Sequence, residues 1–246
     1  MHVLVTAGNT LTLIDQVRCL TNIFTGRTGA ALALEAHARG HSVTLLTSHP
    51  EAVTELARGR PPSGDHWKVR LYRTFDDLQS RLAELILPGG LDAVVHCAAV
   101  SDYLCGGVYA SAPATRFDPE NAHWYGDPPA LEDRVAGKVK SDEPELWIRL
   151  VRAPKLVDRV RADWGYRGLL VKFKLEVGLT DDELLDVAER SRAQSDADLM
   201  VANTLEGSGL YAFVGTGAGL YERVTRAELA ARLLDRLEAM HPRGKR

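Results

Sequence analysis

A chain of 246 residues is long enough for one large α/β domain and short for two. Hydrophobic residues make up 45% and charged residues 26%, and 33 acidic against 30 basic groups leave a formal charge of −3. That balance excludes a general attraction to nucleic acid or to an anionic membrane, so any phosphate recognition has to be local.

The chain contains no apolar run near the roughly 20 residues of a membrane-spanning helix, and MHVLVTAG leads into a strand without the order of a signal peptide. A cytoplasmic protein is expected. Cys19, Cys97 and Cys105 are odd in number and have neither CxxC nor zinc-like spacing, so no disulfide framework and no metal site is expected. Cys97 reads as a small buried hydrophobe.

Residues 3–6 (VLVT) predict a short buried strand followed by a loop rich in Gly, Thr and Asn. Residues 29–39 predict a helix that is small and apolar on one face, with Gly40 as its stop. SVTLLT (42–47) is the next strand, and 67–73 alternates as a strand should. Asp76 is expected to cap a helix running to about Leu87. DAVVHCAAV (92–100) has the continuous apolar character of a strand covered on both faces.

Residues 104–145 lack an apolar period and read as a long flap loop or insertion. Order resumes at 146–151, and Pro154 then suits the first turn of a helix ending near Trp164. A strand at 169–173 leads to a helix with a Thr180/Glu183 capping box. The strand 198–202 follows, then a hairpin of 211–215 with 220–224, and a last helix opened by Thr225 and Glu228. Strands alternating with helices give a Rossmann-like, doubly wound, mostly parallel sheet with a C-terminal β-hairpin. Residues 1–240 are expected to form a single domain and 241–246 a frayed tail.

Ligands of such sheets bind beyond the carboxyl ends of the strands, near the point where strand order reverses. Four polar or glycine-rich segments lie at such ends: 6–10 (TAGNT), Ser101-Asp102, 174–176 and Asn203-Thr204. Gly26 and Gly29, just before the first helix, suit either a phosphate cradle or tight helix packing. Neither GxGxxG nor a Walker A pattern is present. A nicotinamide-dependent reductase is the rival on this fold, and two features weaken it. The second strand ends at Thr47-Ser48 with no acid for a ribose hydroxyl. No tyrosine has a lysine four residues later: Tyr103 meets Gly107, Tyr109 meets Pro113, and Tyr166 meets Leu170.

VLVTAGNTLTLIDQVRCLTNIFTGRTGAALA (3–33), CAAVSDY (97–103), GKVKS (137–141), APKLVDRV, VKFKLE and VANTLEG follow one another in order. Together they resemble the phosphopantothenate–cysteine ligase family over residues 1 to about 235. FKLE and APKL look closer to its stand-alone members than to bacterial fusions with a flavin decarboxylase. The resemblance implies that the carboxylate of 4′-phosphopantothenate attacks the α-phosphate of ATP or CTP, releasing pyrophosphate. Cysteine's amine then displaces the nucleotide to form an amide, in coenzyme A biosynthesis. Magnesium is the implied companion of the triphosphate, and the implied assembly is a homodimer.

By motif, the resemblance assigns Asn22 to the activated acyl group and Lys138, aided by Lys140, to the phosphates. Ala98, Ala99 and Asp102 would shape the pantothenate pocket, while Gly8, Gly26, Gly29, Phe173 and Asn203 would contact the nucleotide. Each has a structural alternative: a turn for Asn22, a cap for Asp102, a solvated lysine for Lys138, ordinary core for Phe173. Two departures stand out. CTP-using relatives carry two lysines on the helix before the VAN strand where this chain has Ser191 and Ser195, flanked by Arg190 and Arg192. Phe24 stands where relatives often have Ser. These departures make ATP more plausible than CTP and leave room for a non-catalytic paralogue.

Overall fold

The computed structural model describes residues 1–217 and 219–241. The fraying expected of the tail therefore falls, for 242–246, outside the described residues. In chain order the first elements are β1 (His2–Ala7), β2 (Leu11–Leu13), β3 (Cys19–Thr21), α1 (Arg27–Ala38), β4 (Ser42–Thr47), α2 (Glu51–Leu56), β5 (Trp67–Leu71), α3 (Phe75–Ile86) and β6 (Ala93–His96). There follow β7 (Tyr103–Ser111), β8 (Arg116–Asp118), β9 (His123–Tyr125), β10 (Leu131–Asp133) and β11 (Trp147–Arg152). The remainder is α4 (Leu156–Ala162), β12 (Leu169–Glu176), α5 (Asp181–Gln194), β13 (Leu199–Thr204), β14 (Tyr211–Gly215), β15 (Tyr221–Thr225) and α6 (Leu229–Met240).

The chain divides into two compact units. The first comprises Met1–Thr10, Ile23–Val100 and Lys155–Arg246. Its eight-stranded sheet has the order β15-β14-β13-β12-β6-β1-β4-β5. The pairs of β1 with β4 and β6, of β12 with β6 and β13, and of β4 with β5 are parallel, and the β14–β15 hairpin adds the antiparallel edge. From β1 the chain winds outward through β4 and β5, then returns to place β6 on the other side of β1. Strand order therefore reverses between β1 and β6, which opens a crevice beyond their carboxyl ends.

The central strands β1, β4, β6 and β13 are mainly apolar and buried because helices cover both faces. Val5, Val95, Val171 and Val201 join one core cluster with Ala30, Ala33 and Ala36 of α1 and Leu233 and Leu237 of α6. Met200 and Ala202, pointing the opposite way from Val201, pack with Leu184 and Ala188 of α5 on the other face. Small residues on α1 let that helix lie close to the sheet.

Several boundaries differ from the sequence reading. Thr74, not Asp76, caps α3, in a capping box with Asp77, because the residue whose hydroxyl reaches the N3 amide sits just before the first helical residue. The Thr180/Glu183 box opens α5 as expected. Thr225 and Glu228 do exchange hydrogen bonds, but across a turn that precedes α6.

The second unit comprises Leu11–Asn22 and Ser101–Pro154. Here the reading of 104–145 as a loop is corrected: the stretch holds most of β7 and all of β8, β9 and β10. β7 runs antiparallel to both β10 and β11, and β8 pairs with β9. Three of these strands have only three residues and lie largely in solvent, and Gly106-Gly107 interrupts β7, so no period of two develops over a readable window. Phe117, Trp124 and Trp147 form a small aromatic cluster, with ring centroids 4.6 to 5.1 Å apart.

Candidate active site

The first unit gathers three of the four strand-end segments named from the sequence. Those after β1, β12 and β13 lie at the carboxyl ends of one parallel array. Ser101-Asp102 belongs to the second unit.

The loop after β1 is built by close backbone contact. Gly8 and Gly26 have φ of 90° and 77°, a left-handed region costly for any residue with a Cβ. A Cβ on Gly26 would lie 2.4 Å from the Gly8 amide nitrogen, and one on Gly29 would lie 2.6 Å from Ala7 Cβ. Gly26 is the N-cap of α1 and has no side chain to cap it, so the first-turn N–H groups receive no side-chain cap from it. Gly8 is held from behind: its carbonyl accepts from Ala99 N–H (2.8 Å), and Ser48 Oγ accepts from Asn9 N–H (2.9 Å). Tyr72, buried, donates its hydroxyl to Ala7 O (2.8 Å). The glycines thus permit the chain to pack on itself and bring the first turn of α1 against the β1 loop at the switch point.

A polar row that sequence reasoning missed runs across the α5 side of this sheet. His96 is in register with Thr6 of β1 and with Lys172 of β12. Thr6 Oγ1 shares a hydrogen bond with His96 Nδ1 (3.2 Å) and accepts from Ala98 N–H (3.1 Å). Lys172 Nζ donates to Ser191 O (2.8 Å) and Ser195 Oγ (2.5 Å), and the Ser195 hydroxyl reaches Asp158. Burial, with the Lys172 charge beside it, holds His96 down to about 4, and burial lowers Lys172. A polar letter inside each apolar strand, VVH and LVKF, was the available signal.

This row also decides what Ser191 and Ser195 do. Ser195 is 2% exposed and turned to the sheet, so it ties α5 to β12 and α4 and does not face a ligand. Arg192 is engaged by Glu189 and the Ala197 carbonyl.

Among the remaining first-unit candidates, Ala98 and Ala99 are half-buried after β6, Phe173 packs against the core from β12, and Asn203 is buried near the end of β13. Asn22, Asp102 and Lys138 lie in the second unit. There the structure joins two separated motifs, D-x-V-R and GKVKS. Asp15 accepts from Val17 and Arg18 N–H, from the Arg18 guanidinium (2.7 Å) and from Val139 N–H (3.0 Å). Arg18 donates to Val139 O (2.5 Å), and Gln16 N–H donates to Gly137 O (3.0 Å). Lys138, itself exposed, is therefore carried on a segment pinned on both sides. Asp102 O accepts Ala153 N–H at 2.9 Å.

The Arg18 guanidinium, followed by the surrounding amide donors, holds the Asp15 carboxyl far below the usual carboxylate range. A lowered folded-state value means the contact is at full strength above the ordinary carboxylate range and is lost only as pH falls through the folded value. Asp15→Asn is expected to raise amide exchange at Val139 by about tenfold or more at neutral pH. Unchanged protection there would refute the clamp.

Comparison with known proteins finds similar sequences and structures. Residues 1–111 match the family described as DNA/pantothenate metabolism flavoprotein C-terminal domain. The chain is 31% identical over 97% of its length to the coenzyme A biosynthesis bifunctional protein CoaBC of Thermococcus kodakarensis, of which it covers 51%. It thus spans about half the length of that relative. The DNA/pantothenate metabolism flavoprotein from Streptococcus pneumoniae has a similar structure, with a TM-score of 0.75 and 25% identity, over 98% of this chain and all of that one. The C-terminal domain of a CoaBC protein shares the fold at a TM-score of 0.64 and 20% identity, over 97% and 94% of the two chains. The relatives agree with the resemblance carried by the sequence motifs, and no helix among the described residues is long and apolar enough to cross a membrane.

Proposed function

We propose that the chain is a ligase of coenzyme A biosynthesis, joining 4′-phosphopantothenate to cysteine through an acyl-nucleotide. The observation that carries this reading is the alignment of nearly the whole chain with CoaBC, with the family's motifs in order. A reductase is disfavoured: β4 ends at Thr47, and the following Ser48 serves the β1 loop where an acid for a ribose would stand.

A carboxylate is a poor acyl donor until one oxygen becomes a good leaving group, and attack on an α-phosphate provides it. The protein's part is to hold the acid in line, spread the phosphate charge and stabilise the oxyanion of the second step. Gly8, Gly26 and Gly29 shape the helix terminus that would receive phosphates, with Phe173 and Asn203 toward the rest of the nucleotide. Ala98, Ala99 and Asp102 would take the pantothenate arm, and Asn22 would polarise the activated acyl carbonyl. Lys138, with Lys140, would bring positive charge to the triphosphate.

Either ATP or CTP would be the co-substrate. Ser191 and Ser195, in place of a lysine pair on α5, favour ATP. Among the described residues no group of three or more His, Cys, Asp or Glu side chains could hold a metal ion, so magnesium would arrive on the triphosphate and neutralise it. Residues 1–240 would act as one functional ligase domain, as a homodimer in the cytoplasm.

A pyrophosphate-release assay tests this. Release should require phosphopantothenate, occur with ATP or CTP, and lead to amide only when cysteine is added. Asn22→Asp should keep pyrophosphate release while slowing amide formation by about 100-fold, the usual cost of losing an oxyanion donor. Nucleotide binding with no release would make the chain a non-catalytic paralogue, and thermal stabilisation by NADP but neither triphosphate would restore the reductase.

A further inference from the structure

One cation at the crevice is not used above. Arg226 follows β15, and its Nη2 donates to Thr28 Oγ1 in the first turn of α1. Its backbone N–H donates to Leu210 O (2.8 Å), which fixes where the side chain starts. The guanidinium is partly buried, and burial lowers its affinity for a proton.

The surroundings supply no counter-charge. Among the described residues Arg226 forms no ion pair, whereas Arg18, Arg39, Arg134, Arg161, Arg192 and Arg232 each meet a carboxylate. The group that favours its charge is Cys97, just after β6, but burial pushes that thiol up to about 12, so it is neutral at physiological pH. Arg226 thus lies by the first turn of the helix that follows β1 and near Cys97, the residue after β6, the two strands that flank the switch point. A partly desolvated guanidinium is costly without an anion and suits phosphate oxygens two at a time.

We propose that Arg226 is a phosphate-binding residue of the nucleotide site, pre-set by Thr28 over the N-terminus of α1. The proposal rests on the nucleotide-dependent reading of the site and names a residue that the sequence motifs do not contain. When a triphosphate enters, the guanidinium would exchange its bond to Thr28 for phosphate oxygens, or keep it and use its remaining donors.

The test is calorimetric titration of the full chain with ATP, CTP and inorganic pyrophosphate, run beside the pyrophosphate-release assay. Arg226→Ala should weaken triphosphate and pyrophosphate binding by about 10- to 100-fold. Arg226→Lys should recover part of that loss, since it keeps charge without the planar fork. Thr28→Val should weaken binding by a few fold, with an unfolding transition that stays cooperative. KM for the triphosphate should rise much more than kcat falls. Full-strength binding of all three anions by a folded Arg226→Ala chain would overturn the proposal and leave the ligase reading intact. Arg226-dependent binding without pyrophosphate release would leave the proposal standing and remove the ligase.

Discussion

Gly26→Ala is expected to lower the stability of the first unit by about 2–5 kcal/mol and to abolish the triphosphate binding proposed above. Two costs add. The residue sits at φ 77°, where a Cβ costs about 1–2 kcal/mol. That Cβ would also meet the Gly8 amide nitrogen at 2.4 Å, a clash with backbone that no rotamer relieves, at about 1–3 kcal/mol. Gly40→Ala is the matching control: its φ is 83°, yet nothing lies within 4 Å of the added methyl. Urea titration of the two variants should separate strain from contact. Equal losses at both positions would show that backbone conformation alone matters and that the loop does not need the close approach.

The second large effect is one of pH. His96 lies at about 4 in the folded chain against an ordinary 6.5, because it is buried and has Lys172 as a neighbour in register. The folded state therefore refuses a proton that the unfolded chain accepts. Stability is at its full value above pH 6.5, falls as pH drops from 6.5 to 4, and changes no further below 4 on this account. The loss is about 3 kcal/mol. His96→Gln removes the titration, so its unfolding free energy should be flatter between pH 7 and 4 by about that amount. Parallel curves for the two chains would show that His96 accepts a proton in the folded state. Protonation would also disturb the Thr6 hydroxyl that receives Ala98 N–H, so binding of the pantothenate arm, proposed above to lie against Ala98 and Ala99, should weaken over the same range.

How far each residue could be read depended on the range of the interactions that position it. The strands β1, β4, β6 and β13 were visible as apolar runs because both faces are buried, and the α5 capping box because its partners are three residues apart. The short, exposed strands of the second unit left no such mark, since their stability comes from neighbours far along the chain. Ser191 and Ser195 stood out in the sequence only as the residues found where CTP-using relatives carry lysines. Their packing against Lys172 and Asp158 is long-range and could not be read from either segment.

By itself the sequence determined the parallel α/β architecture, the family motifs and the glycine positions, because hydrophobic period, turn chemistry and motif order are local. Only the tertiary structure decided that strand order reverses between β1 and β6, that Thr6, His96 and Lys172 form one row, that Asp15 clamps the segment carrying Lys138, and that Arg226 reaches the first turn of α1. Each of these joins residues 76 (His96 to Lys172) to 198 (Thr28 to Arg226) positions apart, whose meeting depends on how the sheets close and not on any local propensity.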